Sequence, residues 1–213
     1  MIARRQEMEW VFDEESGVLI IRGQGPMPDY GRFLIDHSPW RFVKVRYAKI
    51  EEGITSIGAN AFYSLRTLEY VDIPDSVTSI GDGAFHGCIS LKEADIPPNV
   101  TSIGEFAFYK CRSLTSVVLP EGLISVENDT FALCRKLKQV HIPDSVTSIG
   151  NHAFFECTEL EEIKLPRGVE NIGNGSFQNC ISLILTIRSW DMDMGKDATE
   201  GVREVVYNDL EGY

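Results

Sequence analysis

The sequence is short of positive charge and of long apolar segments. It has 20 lysines and arginines against 32 aspartates and glutamates, which gives a net charge of −12. A surface this acidic does not suit a nucleic-acid backbone or an anionic membrane. No apolar run approaches the roughly 18 residues that a membrane-spanning helix requires. We therefore expect no nucleic-acid partner and no membrane insertion.

The N-terminus lacks the pattern of an export signal. Arg4 and Arg5 are followed by Gln6 and Glu7 rather than by an apolar stretch. If Met1 is the native start, this pattern predicts a cytoplasmic protein.

Catalytic and metal-binding motifs are also missing. There is no phosphate-binding loop, no G-x-S-x-G and no dinucleotide fingerprint. The four histidines stand at no metal-ligand spacing, and His86 and His152 are expected to face solvent. A calcium loop starting at Asp191 would need a glycine and a carboxylate where Lys196 and Val202 stand. We therefore predict no catalytic residue, no metal site and no cofactor.

The sequence instead contains a repeat of 23 residues, and all five cysteines recur at this spacing. These cysteines are Cys88, Cys111, Cys134, Cys157 and Cys180. Phenylalanines keep the same period at Phe62, Phe85, Phe108, Phe131, Phe154 and Phe177. Such a period indicates a solenoid, in which one coil cannot bury its apolar face but stacked coils can. The repeats predict a solenoid over residues 45–183, with six repeats and a partial one.

Each position in the repeat has a physical role. Val71 and Ile73 lie two residues apart, so both side chains point inward from one strand. Pro74 ends that strand because it has no N–H to donate. Gly81 permits a tight corner, and residues 83–88 are predicted to return as a short helical or 3₁₀ turn. The predicted fold class is therefore α/β, a solenoid of parallel strands with short helical returns.

The cysteine column is predicted to be a stack of buried thiols. Equivalent sulfurs on four successive coils would spread over about 14 Å, too far apart to ligate one zinc ion. Parallel side chains about 4.8 Å apart also exceed the preferred Cβ separation of a disulfide, about 3.8 Å. We expect these thiols to pack as small apolar groups.

The segments outside the repeat are predicted to cap the solenoid. In residues 1–44, Glu15-Ser16-Gly17 predicts a hairpin between a strand around Trp10 and another over residues 18–21. Gly25, Pro26 and Pro28 then predict a loop. Residues 184–213 are predicted to form a C-terminal cap or tail. Residues 191–213 hold seven acidic and two basic residues, a net charge of −5.

The repeat resembles the BspA-like leucine-rich repeat family. The resemblance rests on residues 74–81, Pro-Asp-Ser-Val-Thr-Ser-Ile-Gly, and on Ala84-Phe85-x-x-Cys88. It implies a leucine-rich repeat solenoid and a bacterial surface or secreted adhesin-type role. The implied partner is a protein, such as a host extracellular-matrix or other surface protein. Two alternatives stay open, an intracellular scaffold or adaptor and an enzyme with its site in the caps. A monomer is expected.

The outward positions of the predicted strands form columns along the solenoid. Charges of both signs alternate within each column, which avoids like charges on neighbouring strands. These columns predict either a face that is merely soluble or a protein-binding face. The predicted binding residues are Tyr47, Lys49, Glu69, Tyr70, Asp72, Lys92, Glu93, Asp95, Ser116, Val118, Lys138, Gln139, His141, Glu162 and Lys164.

The middle repeat departs from the consensus. Val118 places an apolar side chain among charged ones, Ile124 replaces threonine and Glu127 replaces glycine. Apolar and aromatic side chains among charges are typical of recognition surfaces. We therefore predict that the central repeats carry specificity.

Overall fold

A computed structural model describes residues 8–31, 36–187 and 192–208. Within these residues all regular secondary structure is β-strand. The strands are β1 (Glu9–Asp13), β2 (Val18–Arg22), β3 (Gly25–Pro26), β4 (Tyr47–Ile50), β5 (Ile54–Ile57), β6 (Tyr70–Asp72), β7 (Ser79–Ile80), β8 (Glu93–Ala94), β9 (Ser102–Ile103), β10 (Ser116–Val118), β11 (Ser125–Val126), β12 (Gln139–His141), β13 (Ser148–Ile149), β14 (Glu162–Lys164), β15 (Asn171–Ile172), β16 (Ile184–Ile187), β17 (Asp193–Met194) and β18 (Glu204–Tyr207).

The strands build a solenoid of about seven turns, with successive turns about 23 residues apart. One side consists of two five-stranded sheets, β1-β2-β4-β6-β8 and β10-β12-β14-β16-β18. We call the outer surface of these sheets the strand face. A second side consists of two shorter sheets, β3-β5-β7-β9 and β11-β13-β15-β17. The connecting turns, such as residues 83–88, form the third side, which we call the turn side.

The core is a stack of identical side chains along the solenoid axis. The six repeat phenylalanines are fully buried, and neighbouring rings stack at centroid distances of 5.1–5.5 Å. Trp40 covers the N-terminal end of this stack, 5.9 Å from the ring of Phe62. Its indole N–H donates to the carbonyl of Ala61 at 2.8 Å, which satisfies a buried polar group. The first coil is thereby shielded from water.

The N-terminal segment forms the predicted hairpin. β1 and β2 pair antiparallel, and the Gly17 amide donates to the Asp13 carbonyl at 2.9 Å across the turn. β2 then pairs parallel with β4 and so extends the solenoid sheet. The predicted loop at Gly25 and Pro26 is wrong, because these residues form β3, which pairs with β5. Proline fits there because β3 is the edge strand of its sheet.

Parallel pairing also continues into the C-terminal segment. Glu162 pairs with Ile184, a step of 22 residues (184 − 162), so this coil is shorter by one residue than the regular repeat of 23. β15 pairs with β17 and β16 pairs with β18. The division into residues 1–44, 45–183 and 184–213 stays a prediction, although strand pairing crosses both of its boundaries.

The returns between strands are tight turns, and the prediction of helical or 3₁₀ returns is wrong. In residues 83–88, the amides of Gly83, Phe85 and Gly87 donate to carbonyls of the next coil at 2.7–2.8 Å. The amides between them donate to the carbonyl three residues back at 3.0–3.2 Å. Half of the amides are therefore committed to the neighbouring coil, which a helix would not allow. Gly83 and Gly87 have positive φ angles of 59° and 74°, which also break helical geometry.

The stack of coils is interrupted on two of its three sides. No ladder pairing joins β8 to β10 or β9 to β11 among the described strands. The turn side continues across the same boundary, since the Phe108 amide donates to the Thr130 carbonyl at 2.9 Å. On the strand face the Thr115 amide also donates to the Lys92 carbonyl at 3.2 Å, so the interruption is a local loss of ladder pairing on these two sides.

Glu127 gives a steric reason for the lost pairing between β9 and β11. Glycine occupies the equivalent position at Gly81, Gly104 and Gly150, where an added Cβ would lie 2.6–2.7 Å from a backbone nitrogen of the preceding coil. Each of these glycine amides donates to that coil at 2.7–2.9 Å. Within the described chain, Glu127 makes no such bond to Ile103. A Cβ at the equivalent glycines would meet the preceding coil, so we infer that the Cβ of Glu127 prevents this bond.

Candidate functional site

The strand face brings the predicted binding residues into columns. Tyr47 pairs with Tyr70 and Tyr70 with Glu93, while Ser116 pairs with Gln139 and Gln139 with Glu162. The other residues of the set lie on the same strands or next to their ends. The columns are not continuous, because the β8–β10 interruption separates them into an N-terminal and a C-terminal group.

Two of the predicted residues are half-buried rather than exposed. The Tyr47 hydroxyl donates to the Asp72 carboxylate at 3.3 Å, and burial together with Asp72 raises the pKa of Tyr47. Glu69 is held by ion pairs with Arg46 at 3.3 Å and Lys92 at 2.6 Å. These contacts between coils fold both side chains against the surface. The remaining thirteen predicted residues are exposed.

The ion pairs around Glu69 order the N-terminal half of the face. Hydrogen bonds from Lys92 and Arg46 hold the pKa of Glu69 below its usual value, and the bond to Glu69 raises the pKa of Lys92. The Lys92 ammonium also lies 5.3 Å from the ring centroid of Tyr70. Because these groups are in water, they add little to stability. They fix instead the positions of charges and of one aromatic ring.

The interruption between β8 and β10 opens a cleft in the middle of the face. This cleft, about 340 Å³ in volume, is lined by Glu93, Asp95, Ser116 and Val118 among others. Val118 is 67% exposed, although valine in a strand is usually at least half-buried. The centre of the face therefore combines an exposed apolar side chain with acidic neighbours.

A second groove lies in the C-terminal half of the face. It has a volume of about 520 Å³ and is lined by His141, Glu162 and Lys164 among other residues. Lys164 forms an ion pair with Glu162 at 3.0 Å, and His141 lies 3.7 Å from Glu121. The groove forms because the described pairing of β12 with β14 is limited to Gln139 and Glu162.

Sequence reasoning missed part of this groove. Its lining also includes Leu165, Arg167 and Asn208. Leu165 follows the repeat pattern of a core residue, and it is 8% exposed rather than fully buried. The only indication in the sequence is that the repeat of 23 residues is no longer kept after Leu183. Asn208, which directly follows β18, also borders the groove.

The cysteine column is buried and unpaired, as predicted. Each thiol donates to the carbonyl of a core phenylalanine 26 residues earlier, at 3.0–3.3 Å. Burial raises the pKa of every one of these thiols, to about 12 for Cys134 and Cys180. Among the described residues, no three histidine, cysteine or acidic side chains are grouped as metal ligands. No described helix is long and apolar enough to cross a bilayer.

Comparison with known proteins agrees with this architecture. The structure of a leucine-rich repeat protein from T. pallidum is 27% identical with a TM-score of 0.68, and the match covers 92% of this chain and 85% of that one. A leucine-rich cell surface protein from Faecalibacterium prausnitzii is 22% identical with a TM-score of 0.56, over 94% of this chain and 74% of that one.

No curated protein has significant sequence similarity to this chain. The family model described as the BspA type leucine-rich repeat region, in contrast, matches residues 55–184 in six copies. The repeat, the stacked parallel strands and this match together show that the chain belongs to the BspA-type leucine-rich repeat family.

Proposed function

We propose that this protein is a non-enzymatic interaction module that binds a protein partner through the strand face. The observation that carries the proposal is the centre of that face, where Val118 is exposed among Glu93, Asp95 and Ser116. An exposed apolar side chain rimmed by polar groups is the arrangement of a binding hot spot. A face that served only solubility would not need an apolar residue there.

Binding suits this architecture better than turnover. The clefts on the strand face are open grooves along the sheet, whereas catalytic sites are usually enclosed and largely preformed. Extended solenoid surfaces suit the recognition of large partners. The family and its structural neighbours are generally non-enzymatic, which supports the same conclusion.

The proposed location is the bacterial surface or the extracellular medium, with an adhesin-type role toward host or other surface proteins. The BspA-type family is often surface-associated, which supports this location. Host extracellular-matrix proteins are the first partners to test. We propose that the module acts as a monomer. The net charge of −12 disfavours nucleic acid as a partner.

Specificity is proposed to lie in the central coils, at Asp95, Val118 and His141. All three side chains are exposed, and they border the interruption of the sheet or the groove beside it. Replacing them changes the recognition surface without touching the core.

The test is a triple variant, Asp95→Lys with Val118→Asp and His141→Glu. Wild type and variant are immobilised and exposed in parallel to host-matrix extract and to bacterial lysate, and captured proteins are identified by mass spectrometry. We expect the variant to lose the proteins that wild type captures. Its melting temperature should stay within about 3 °C, since surface substitutions cost little.

The matched control is Asp75→Lys with Ile181→Asp, which changes exposed residues away from the strand face. This control should capture the same proteins as wild type. Capture by the triple variant that equals wild-type capture would contradict the proposal.

A further inference from the structure

A cavity on the turn side gathers cations in an otherwise acidic protein. It is about 330 Å³ in volume, and its lining includes Arg66, Lys110 and Arg112. None of these three side chains forms an ion pair with a carboxylate of the described chain. By contrast Arg135, one coil beyond Arg112, is neutralised by Glu156 at 2.6 Å. The cavity is therefore a local concentration of unneutralised positive charge in a chain of net charge −12.

A column of stacked rings supports these cations. His86 lies between Tyr63 and Tyr109, with ring centroids 4.7 and 4.8 Å apart. The prediction that His86 faces solvent is therefore wrong, since its ring is half-buried in this stack. The Lys110 ammonium lies 4.9 Å from the Tyr109 ring at one end, and the Arg41 guanidinium lies 5.3 Å from Tyr63 at the other. Ring faces attract cations, so the stack holds positive charge in place.

The spacing of the two arginines limits what can bind. Arg66 and Arg112 lie on the same coils as Tyr63 and Tyr109, which are two stacking steps of 4.7 and 4.8 Å apart. These two steps place the coils of the two arginines about 9.5 Å apart (4.7 + 4.8), which exceeds the width of one carboxylate, and a single guanidinium already binds a carboxylate through two hydrogen bonds. A ligand that engages both must therefore carry two separate anionic groups.

The conformation of such a ligand follows from the same distance. In polyproline II the rise is about 3.1 Å per residue with three residues per turn, so residues i and i+3 share one face about 9 Å apart. In a β-strand, by contrast, residues i and i+3 point to opposite faces. Ile89 is half-buried and lines the cavity on the coil between the two arginines. It offers an apolar contact between the two anionic positions.

We infer that this turn-side cavity is a second binding site, which takes an extended acidic peptide segment with carboxylates at positions i and i+3 and an apolar residue between them. The site lies on a different side of the coils from the strand face. It therefore does not depend on the proposed function, and one face can be inactivated without the other.

The test uses two fluorescein-labelled nonapeptides of identical composition, measured by fluorescence anisotropy with the full chain. One is three repeats of Glu-Pro-Leu, and the other groups the three glutamates, the three prolines and the three leucines in blocks. The spaced peptide should bind about tenfold more tightly than the blocked one, because only it can engage both arginines. Its affinity should fall as NaCl is raised.

Two double variants of equal net charge locate the site. Arg66→Glu with Arg112→Glu should weaken binding of the spaced peptide about tenfold or more. Lys196→Glu with Arg203→Glu changes exposed cations near the C-terminal end, away from this cavity and outside the strand-face set, and should leave the affinity within about twofold. Arg66→Gln with Arg112→Gln is a milder version should the charge reversal unfold the protein. The strand-face triple variant should bind the peptide as wild type does.

Three results would overturn the inference. The first is equal weakening by both glutamate double variants, which would show only a general charge effect. The second is equal affinity for the spaced and blocked peptides. The third is binding of dextran sulfate that Arg66→Glu with Arg112→Glu abolishes, with no binding of the spaced peptide, which would assign the cavity to a sulfated polysaccharide.

Discussion

At the scale of single residues, the cysteines show how a reactive group becomes a structural one. Each thiol is fully buried, and each donates to a carbonyl of a core phenylalanine. Burial without a nearby cation disfavours the thiolate, which is the reactive form. The odd number of cysteines thus reflects the number of coils that carry this position and indicates nothing about disulfide pairing.

Thiol chemistry checks this account. At pH 8 we expect none of the five thiols of the folded protein to react with Ellman's reagent, and all five to react after unfolding in guanidinium chloride. Absorbance of the released thionitrobenzoate gives the count in each state. Reaction of any thiol faster than global unfolding would contradict the burial seen here.

Single residues also set the limits of the strand-face prediction. The outward positions could be read from the sequence because alternate residues of a strand face opposite sides. The half-burial of Tyr47 could not, because it depends on a bond to Asp72 on the next coil. The binding role of the face stays a prediction.

At the scale of strands and turns, the glycine column controls how closely coils approach. At Gly104 and Gly150 the absence of a side chain lets an amide reach the preceding coil, at 2.9 and 2.7 Å respectively. Glu127 breaks this column, and the strand pairing is missing at the same boundary. The same boundary carries the open cleft beside Val118 on the strand face.

The variant Glu127→Gly tests this cause. Removing the Cβ should let the coils close and form the missing bond to Ile103, which adds about 0.5–1.5 kcal/mol to the free energy of unfolding, less the cost of a flexible glycine. The amide of residue 127 should exchange with solvent more slowly in hydrogen-exchange experiments.

The control for this variant is Glu127→Ala, which removes the carboxylate but keeps the Cβ. It should leave the bond to Ile103 unformed and amide exchange fast. If both variants slow the exchange equally, charge rather than steric bulk separates the coils, and the glycine-column explanation is wrong.

The turns also show where sequence reasoning fails. The spacing of residues 83–88 fits a short helical return, but a helix needs its amides for its own carbonyls. In the solenoid alternate amides serve the next coil instead. Whether these amides bond within their own turn or to the next coil is decided by carbonyls 22 residues away. The local sequence does not reveal those carbonyls.

At the scale of the whole molecule, stacking multiplies the effect of each buried group. The same thiol environment recurs on five coils, so their pKa shifts act in one direction. Above the ordinary thiol pKa of about 8.5, the unfolded chain loses protons that the folded protein keeps. The buried thiols contribute their full stabilisation below the ordinary thiol pKa of about 8.5. This stabilisation is lost as the pH rises toward about 12, the pKa of Cys134 and Cys180 in the folded protein.

We therefore expect the free energy of unfolding to fall steeply with alkali. Each thiol contributes up to about 1.4 kcal/mol per pH unit once its unfolded form is ionised. Urea unfolding measured between about pH 7 and pH 10 gives the slope. The variant Cys134→Ser keeps a hydrogen-bond donor that does not titrate in this range. The slope of its free energy of unfolding against pH should therefore be smaller by up to about 1.4 kcal/mol per pH unit, the contribution of one thiol. Identical slopes for variant and wild type would contradict the prediction.

The sequence by itself determined the period, the inward and outward columns, the phenylalanine and cysteine core and the N-terminal hairpin. It could do so because translation by one repeat places equivalent residues in one column, whatever backbone path the chain takes within each coil. The tertiary structure alone decided the loss of strand pairing beside Glu127, the turn geometry and the meeting of Arg66 with Arg112 at one cavity. These features depend on the distance between coils, and that distance is set by side chains and amides that meet only after the chain has folded.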